Sequence, residues 1–218
     1  MPVAVQAVPF LVILLVAGIV LGFALGSWGV LPIVLLALFV LFFFRDPERV
    51  PPEGVGLVLS AADGRVAEIR RFPEGTRVSV FLSLLDCHIN RAPVSGVVRE
   101  ALYTPGRFHP AWHGRASGEN ERNHLIIHAE GGDYGVTQVA GVLARRIVCT
   151  KKPGDVVRRG ERIGLIRFGS RTDLHLPPGL EPLVAVGDRV KGGETLMARE
   201  VAIQAAGSAA GAGAGFKT

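Results

Sequence analysis

The first 44 residues of this 218-residue chain contain no Asp, Glu, Lys, Arg or His; all 24 basic and 19 acidic side chains lie from Arg45 onward. An apolar run of about 18 or more residues is long enough to cross a bilayer. Two segments fit, about Val8–Gly26 and Val30–Phe44, the second short, with Ser27-Trp28-Gly29 expected as the tight turn between them. The expectation is a transmembrane helical hairpin over residues 1–44. A single bent span or a re-entrant hairpin is the alternative. A signal peptide fits poorly, because the N-terminus carries no Lys or Arg and the apolar run is too long.

Arg45, Arg49, Arg65, Arg70 and Arg71 follow the second segment, whereas the turn carries no charge. The positive-inside rule then puts the rest of the chain in the cytoplasm, and two spans return the N-terminus to the same side. The formal charge of +5 is modest. It draws a tethered domain toward anionic head groups. No basic run is interleaved with aromatics, so nucleic acid is a poor partner. Two cysteines, Cys87 and Cys149, are too few for a disulfide framework and fit a reducing compartment. No Cys/His spacing suggests zinc, so no metal is expected.

Residues 45–204 read as mainly β. Arg77–Leu82, His124–His128 and Gly135–Val142 are short, rich in β-branched residues and bounded by turn formers. Leu82–Asn90 fits a short helix or turn, with Ser83 as its cap. The chain also echoes itself. Gly154-Asp155-Val156-Val157-Arg158-Arg159-Gly160-Glu161 matches Gly187-Asp188-Arg189-Val190-Lys191-Gly192-Gly193-Glu194, and the stretches from Ala62 to Val66 and from Val94 to Val98 match more loosely. Such hairpin repeats resemble the barrel-sandwich folds of lipoyl and biotinyl carrier domains. Those carriers present a modifiable lysine, and the second repeat here continues Leu196-Met197-Ala198 with none, so the likeness extends to fold and not to carrier function. Residues 205–218 are Ala/Gly-rich and read as a flexible tail.

Three segments carry candidate chemistry. Asp63 stands in Ala62-Asp63-Gly64, where a turn role is the plain reading. His88 stands in Asp86-Cys87-His88-Ile89-Asn90-Arg91, polar for a segment that follows a strand. Ser170 follows Phe168-Gly169; a glycine leaves its carbonyl unshielded, and a serine hydroxyl needs a base before it attacks. Asp, His and Ser together supply that logic. His109 and His113 are weaker candidates.

These motifs together resemble the phosphatidylserine decarboxylase proenzymes of the short, membrane-associated bacterial or archaeal type. The resemblance rests on Phe44-Arg45-Asp46-Pro47, Ala62-Asp63-Gly64, the stretch from Asp86 to Gly96, Glu119-Asn120-Glu121-Arg122-Asn123, and Phe168-Gly169-Ser170. It implies that Ser170 attacks the Gly169 carbonyl, that the chain splits into a large chain 1–169 and a small chain 170–218, and that residue 170 becomes a pyruvoyl group. That covalent cofactor would form a Schiff base with phosphatidylserine and accept the electrons released with CO₂, giving phosphatidylethanolamine. The resemblance assigns proton transfer to His88 and serine activation to Asp63. Arg91 stands where longer relatives have a second histidine, which leaves the base for self-cleavage open. Arg122 and Arg91 are the candidate substrate-binding residues. An archaetidylserine decarboxylase with the same chemistry and a non-enzymatic membrane-anchored adaptor are the alternative functions. Self-association into a homo-oligomer is left open.

Overall fold

The computed structural model describes residues 2–109, 119–141, 146–167 and 170–199. Two helices come first, α1 (Val8–Leu25) and α2 (Ser27–Phe43). The stretch Val5–Leu25 is long and apolar enough to cross a membrane, and α2 is shorter. Apolar side chains such as Ile13, Val16, Val20, Phe23 and Leu38 are exposed on them. The reversal is tighter than expected: Gly26 alone makes it, at φ +63°, and Ser27, Trp28 and Gly29 already belong to α2. Small residues let the two backbones close up. A Cβ on Gly29 would lie 2.5 Å from the Leu21 carbonyl oxygen, and one on Gly18 3.3 Å from Ile33.

The rest is mainly β. Its strands are β1 (Leu57–Leu59), β2 (Gly64–Phe72), β3 (Gly75–Leu82), β4 (Ile89–Arg91), β5 (Gly96–Thr104), β6 (Arg122–Ala129), β7 (Gly132–Ala140), β8 (Ile147–Cys149), β9 (Val156–Val157), β10 (Arg162–Ile166), β11 (Ser170–Leu176), β12 (Arg189–Val190) and β13 (Leu196–Arg199). Eight form one antiparallel sheet in the order β12-β2-β3-β11-β7-β6-β5-β9; β4-β10-β8 and β1-β13 form two smaller sheets. The main core lies on one face of the large sheet, around Val66, Val80, Leu82, Leu125, Ile127, Tyr134, Val136 and Leu174.

The echo in the sequence is an echo in the fold. In one half β12 pairs with the start of β2; in the other β9 pairs with the start of β5. Both long strands bulge two residues in, between Val66 and Glu68 and between Val98 and Glu100. The bulges are sealed alike: Gly187 N–H donates to Val66 O and Val66 N–H to Asp188 O, while Gly154 N–H donates to Val98 O and Val98 N–H to Asp155 O. The paired glycines Gly154 and Gly187, and Gly160 and Gly193, all have positive φ, which a side chain would strain. The halves meet at the middle of the sheet, between β7 and β11. Ser170 opens β11 there.

The segment from Leu82 to Asn90 is a turn and not a helix. Ser83 does not act as the cap; its N–H and hydroxyl both bond the Asp86 carboxylate, at 2.8 and 2.6 Å. The helix ends dock beside this turn. Ala7, Val40, Phe43 and Phe44 pack with Cys87, Ile89 and Leu165. The Cys87 thiol donates to Arg45 O (3.4 Å), and the Arg45 guanidinium donates to Leu85 O (2.6 Å).

Candidate active site

Ser170 is paired on both sides, with Leu82 of β3 and Ala140 of β7. It is fully buried, and its Oγ has no hydrogen-bond partner among the described residues. Leaving a hydroxyl in that state costs about 1–3 kcal/mol. The strand pairing holds it there. Phe168 and Gly169, which precede it, lie outside the described residues, as does His113.

His88 is brought to the same end of the domain by two ties. Ile166 N–H, at the end of β10, donates to His88 O (3.2 Å). The Asn90 amide donates to Thr172 Oγ1 (2.9 Å), joining β4 to β11. The His88 ring stacks on Phe43 at the end of α2, with centroids 4.2 Å apart. Its Nδ1 lies 2.9 Å from Asp86 O. A carbonyl only accepts, so Nδ1 carries the proton and Nε2 is the basic position. Burial lowers the imidazole pKa to about 4, more than the nearby Asp86 raises it. The ring is therefore neutral at physiological pH.

Asp63 is mostly buried and engaged. Gly192 N–H donates to its Oδ1 (2.8 Å) and Arg49 to its Oδ2 (2.7 Å). Burial raises its pKa, offset in part by the Gly192 bond and Arg49. It is not hydrogen-bonded to Ser170. In the other half Ser95 takes its place, accepting from Arg159 N–H at 2.9 Å. A neutral hydroxyl thus suffices to cap this turn, and the negative charge of Asp63 is surplus to that structural role.

The two arginines fall elsewhere. Arg91 points inward: it donates to Gly160 O (2.9 Å) and Pro47 O (2.8 Å) and pairs with Asp46 (3.3 Å). It fastens the chain leaving α2 onto the β domain. Arg122 pairs with Val139, which pairs with Arg171, one step out of phase with Ser170. Facing residues share a side of a sheet and neighbours alternate, so Arg122 and Ser170 occupy opposite faces. His109 lies at the rim, its Nε2 3.1 Å from Glu119.

Asn123, next to Arg122, faces the site. Its amide donates to Gln138 Oε1 (3.1 Å), and Gln138 donates to Asn90 Oδ1 (2.9 Å), which completes a buried chain to Thr172. Asn120 donates to Ala140 O (2.8 Å), bracing the residue opposite Ser170. This network was missed in the sequence. Its available signal was a polar residue, Gln138, at a core-facing position of an otherwise apolar alternation. Among the described residues no group of three or more His, Cys, Asp or Glu side chains is arranged to hold a metal.

A buried serine whose hydroxyl has no partner among the described residues opens β11, and a buried, neutral histidine packs against the end of the second apolar helix. The chain belongs to the phosphatidylserine decarboxylase family, whose model matches residues 36–198. A protein of Granulibacter bethesdensis named "Phosphatidylserine decarboxylase proenzyme" is 48% identical, over 84% of this chain and 80% of its own length. Proteins with the same name from Nitratidesulfovibrio vulgaris (47% identical, 83% of this chain and 87% of its own) and Gluconacetobacter diazotrophicus (50% identical, 74% and 76%) are similar.

Proposed function

We propose that this chain is a self-processing, pyruvoyl-dependent decarboxylase that converts phosphatidylserine to phosphatidylethanolamine and CO₂. The observation that carries the reading is the buried Ser170 hydroxyl with no partner among the described residues, at the start of a strand fixed on both sides, in a member of this family. That orphaned oxygen fits a residue destined for covalent conversion. A hydroxyl needed for structure would be hydrogen-bonded.

In the first stage Ser170 Oγ adds to the carbonyl of residue 169 and the amide becomes an ester. Loss of the Ser170 α-proton then eliminates residue 169 as a carboxylate and leaves dehydroalanine at 170, whose imine tautomer takes up water and releases ammonia to give the ketone. Asp63 supplies the negative charge that draws the hydroxyl proton. A pyruvoyl group at 170 supplies an electron sink for the electrons released with CO₂. In that second stage His88 moves a proton at Nε2, with Nδ1 anchored on Asp86 O. Arg91 positions the segment that follows α2, and the Asn123–Gln138–Asn90–Thr172 chain fixes β4 against β11.

The two helices would enter the bilayer as a hairpin, with residues 45–204 on the cytoplasmic side, because the cluster from Arg45 to Arg71 follows the second helix. The repeated, bulged hairpins support a barrel-sandwich type of β domain.

The intact mass of the purified protein tests the reading. Two chains are expected, 1–169 and 170–218, the smaller with a ketone in place of its terminal amine and reactive toward hydroxylamine. A single folded chain with serine at 170 would overturn it. Asp63→Asn separates the two roles of that residue: the amide oxygen still accepts from Gly192 while the charge is lost. Self-cleavage should slow by roughly 10²-fold or more, while the unfolding temperature falls only by what the lost Arg49 ion pair accounts for, since Glu194 still pairs with Arg49. Cleavage at the wild-type rate would remove Asp63 from the mechanism.

A further inference from the structure

Arg167 ends the described stretch that leads toward Ser170. Its backbone N–H donates to Arg146 O (3.2 Å), so the two arginines sit side by side where β10 and β8 run out. The Arg167 guanidinium lies over the ring of Phe10, 5.6 Å from its centroid. Its Nε is buried and has no hydrogen-bond partner among the described residues. Burial, and then the charge of Arg146, lower its pKa, and no carboxylate offsets them. Other arginines of the domain are matched with acids: Arg49 with Asp63 and Glu194, and Arg162 with Asp46 and Glu48. Glu121, which with Arg146 flanks Tyr103, is buried and bonded to that phenol.

Position gives this pair its meaning. Phe10 lies in the first turn of α1, and its ring packs on Phe44, just past the end of α2 (centroids 5.5 Å). Ala4 N–H donates to Phe44 O and Asp46 N–H to Pro2 O, so both helices leave the β domain at one level. For helices inserted in a bilayer, that is the level of the lipid phosphates.

We propose that Arg167 and Arg146 form an anion site that takes the phosphodiester of the serine phospholipid. The inference rests on the decarboxylase reading and names the part of the substrate it leaves unassigned. Four bonds separate the serine amine from phosphorus, so a lipid whose amine reaches residue 170 carries its phosphate close by, on the membrane side. A guanidinium pair suits two phosphate oxygens. The acyl chains then begin beside Phe10 and Leu11, where the groove between the helices opens. That groove has a volume of about 540 Å³ and an apolar lining that includes Leu11, Leu14, Gly18 and Ile33.

The test uses the full chain in detergent, with short-chain phosphatidylserine and phosphatidylethanolamine as probes. They share the phosphodiester and differ in the carboxylate. Arg167→Gln and Arg146→Gln should each weaken binding of both lipids, read by calorimetry, by about tenfold. KM for phosphatidylserine should rise to match, with kcat within about twofold and self-cleavage intact by mass. Arg167→Lys should recover part of the loss. Weakening confined to phosphatidylserine would assign the pair to the carboxylate and overturn the proposal. Unchanged binding of both would also overturn it, leaving the pair as counter-charge for the chain's own new carboxylate at 169. A variant that binds normally but no longer cleaves would place Arg167 in processing, again against the proposal. If the wild-type chain neither cleaves nor releases CO₂ yet Arg167→Gln still loses both lipids, the decarboxylase reading fails and the anion site stands.

Discussion

Ser170→Ala should leave one uncut chain of 218 residues that releases no CO₂ from phosphatidylserine, and that chain should be no less stable than the precursor it replaces. The first half follows from chemistry. Without Oγ no ester forms at residue 169, no α-proton is lost with a leaving carboxylate, and no ketone appears at residue 170. The second half follows from the structure. Ser170 keeps its place through backbone pairing with Leu82 and Ala140, which alanine preserves. The side chain loses only a buried hydroxyl with no partner among the described residues. Removing an unsatisfied buried polar atom relieves a penalty of about 1–3 kcal/mol, whereas removing a satisfied one would cost about 1 kcal/mol. Thermal unfolding of Ser170→Ala should therefore match or exceed that of the uncut wild-type precursor. A clear fall in its unfolding temperature would mean that the hydroxyl is bonded and is not held in reserve. A cut Ser170→Ala chain would remove Ser170 from the chemistry altogether.

How legible this was in the sequence differs by feature. The charge-free start shows the helices because apolar length is a one-dimensional property. The G-D-x-V-x-x-G-E echo shows the internal repeat because positive-φ turns demand glycine at fixed spacing. The pairing of those repeats with β2 and β5 is long-range, and only the register places Ser170 at the seam between the halves. Register also separates Arg122 from Asn123: side chains one residue apart point to opposite faces, and the motif from Glu119 to Asn123 does not say which face is the site. Arg91 reads as a binding residue because exposed and buried arginines look alike in sequence. Its partners are the carbonyls of Pro47 and Gly160, far away along the chain. Phe43 looks like one more lipid-facing aromatic. Its contact with His88 exists because the ends of the helices dock on the turn that carries the histidine.

That contact sets the second large effect. His88→Gln should lower kcat by roughly 10²–10⁴-fold, the usual yield of a positioned proton-transfer group, while leaving the pairing of β4 with β10 in place. Normal turnover in this variant would remove His88 from the site. The pH dependence is more specific. The folded-state pKa of His88 is lowered to about 4 from an ordinary 6.5, with burial as the main cause. Between those values the unfolded chain binds a proton that the folded chain refuses, so the stability this residue contributes is fully present above pH 6.5 and is lost as pH falls toward 4. The same shift keeps Nε2 basic across that window, so the acid limb of kcat/KM attributable to His88 should fall near pH 4. Phe43 supplies part of the burial. Phe43→Ala admits water to the ring, and the acid limb should move up toward pH 6.5, with the imidazole proton signals in the NMR spectrum titrating in step. A purely structural role for Phe43 would lower stability and activity at every pH and leave the limb where it is. An upward shift would show instead that the last turn of α2 tunes the proton affinity of His88 and so holds the imidazole in its neutral state.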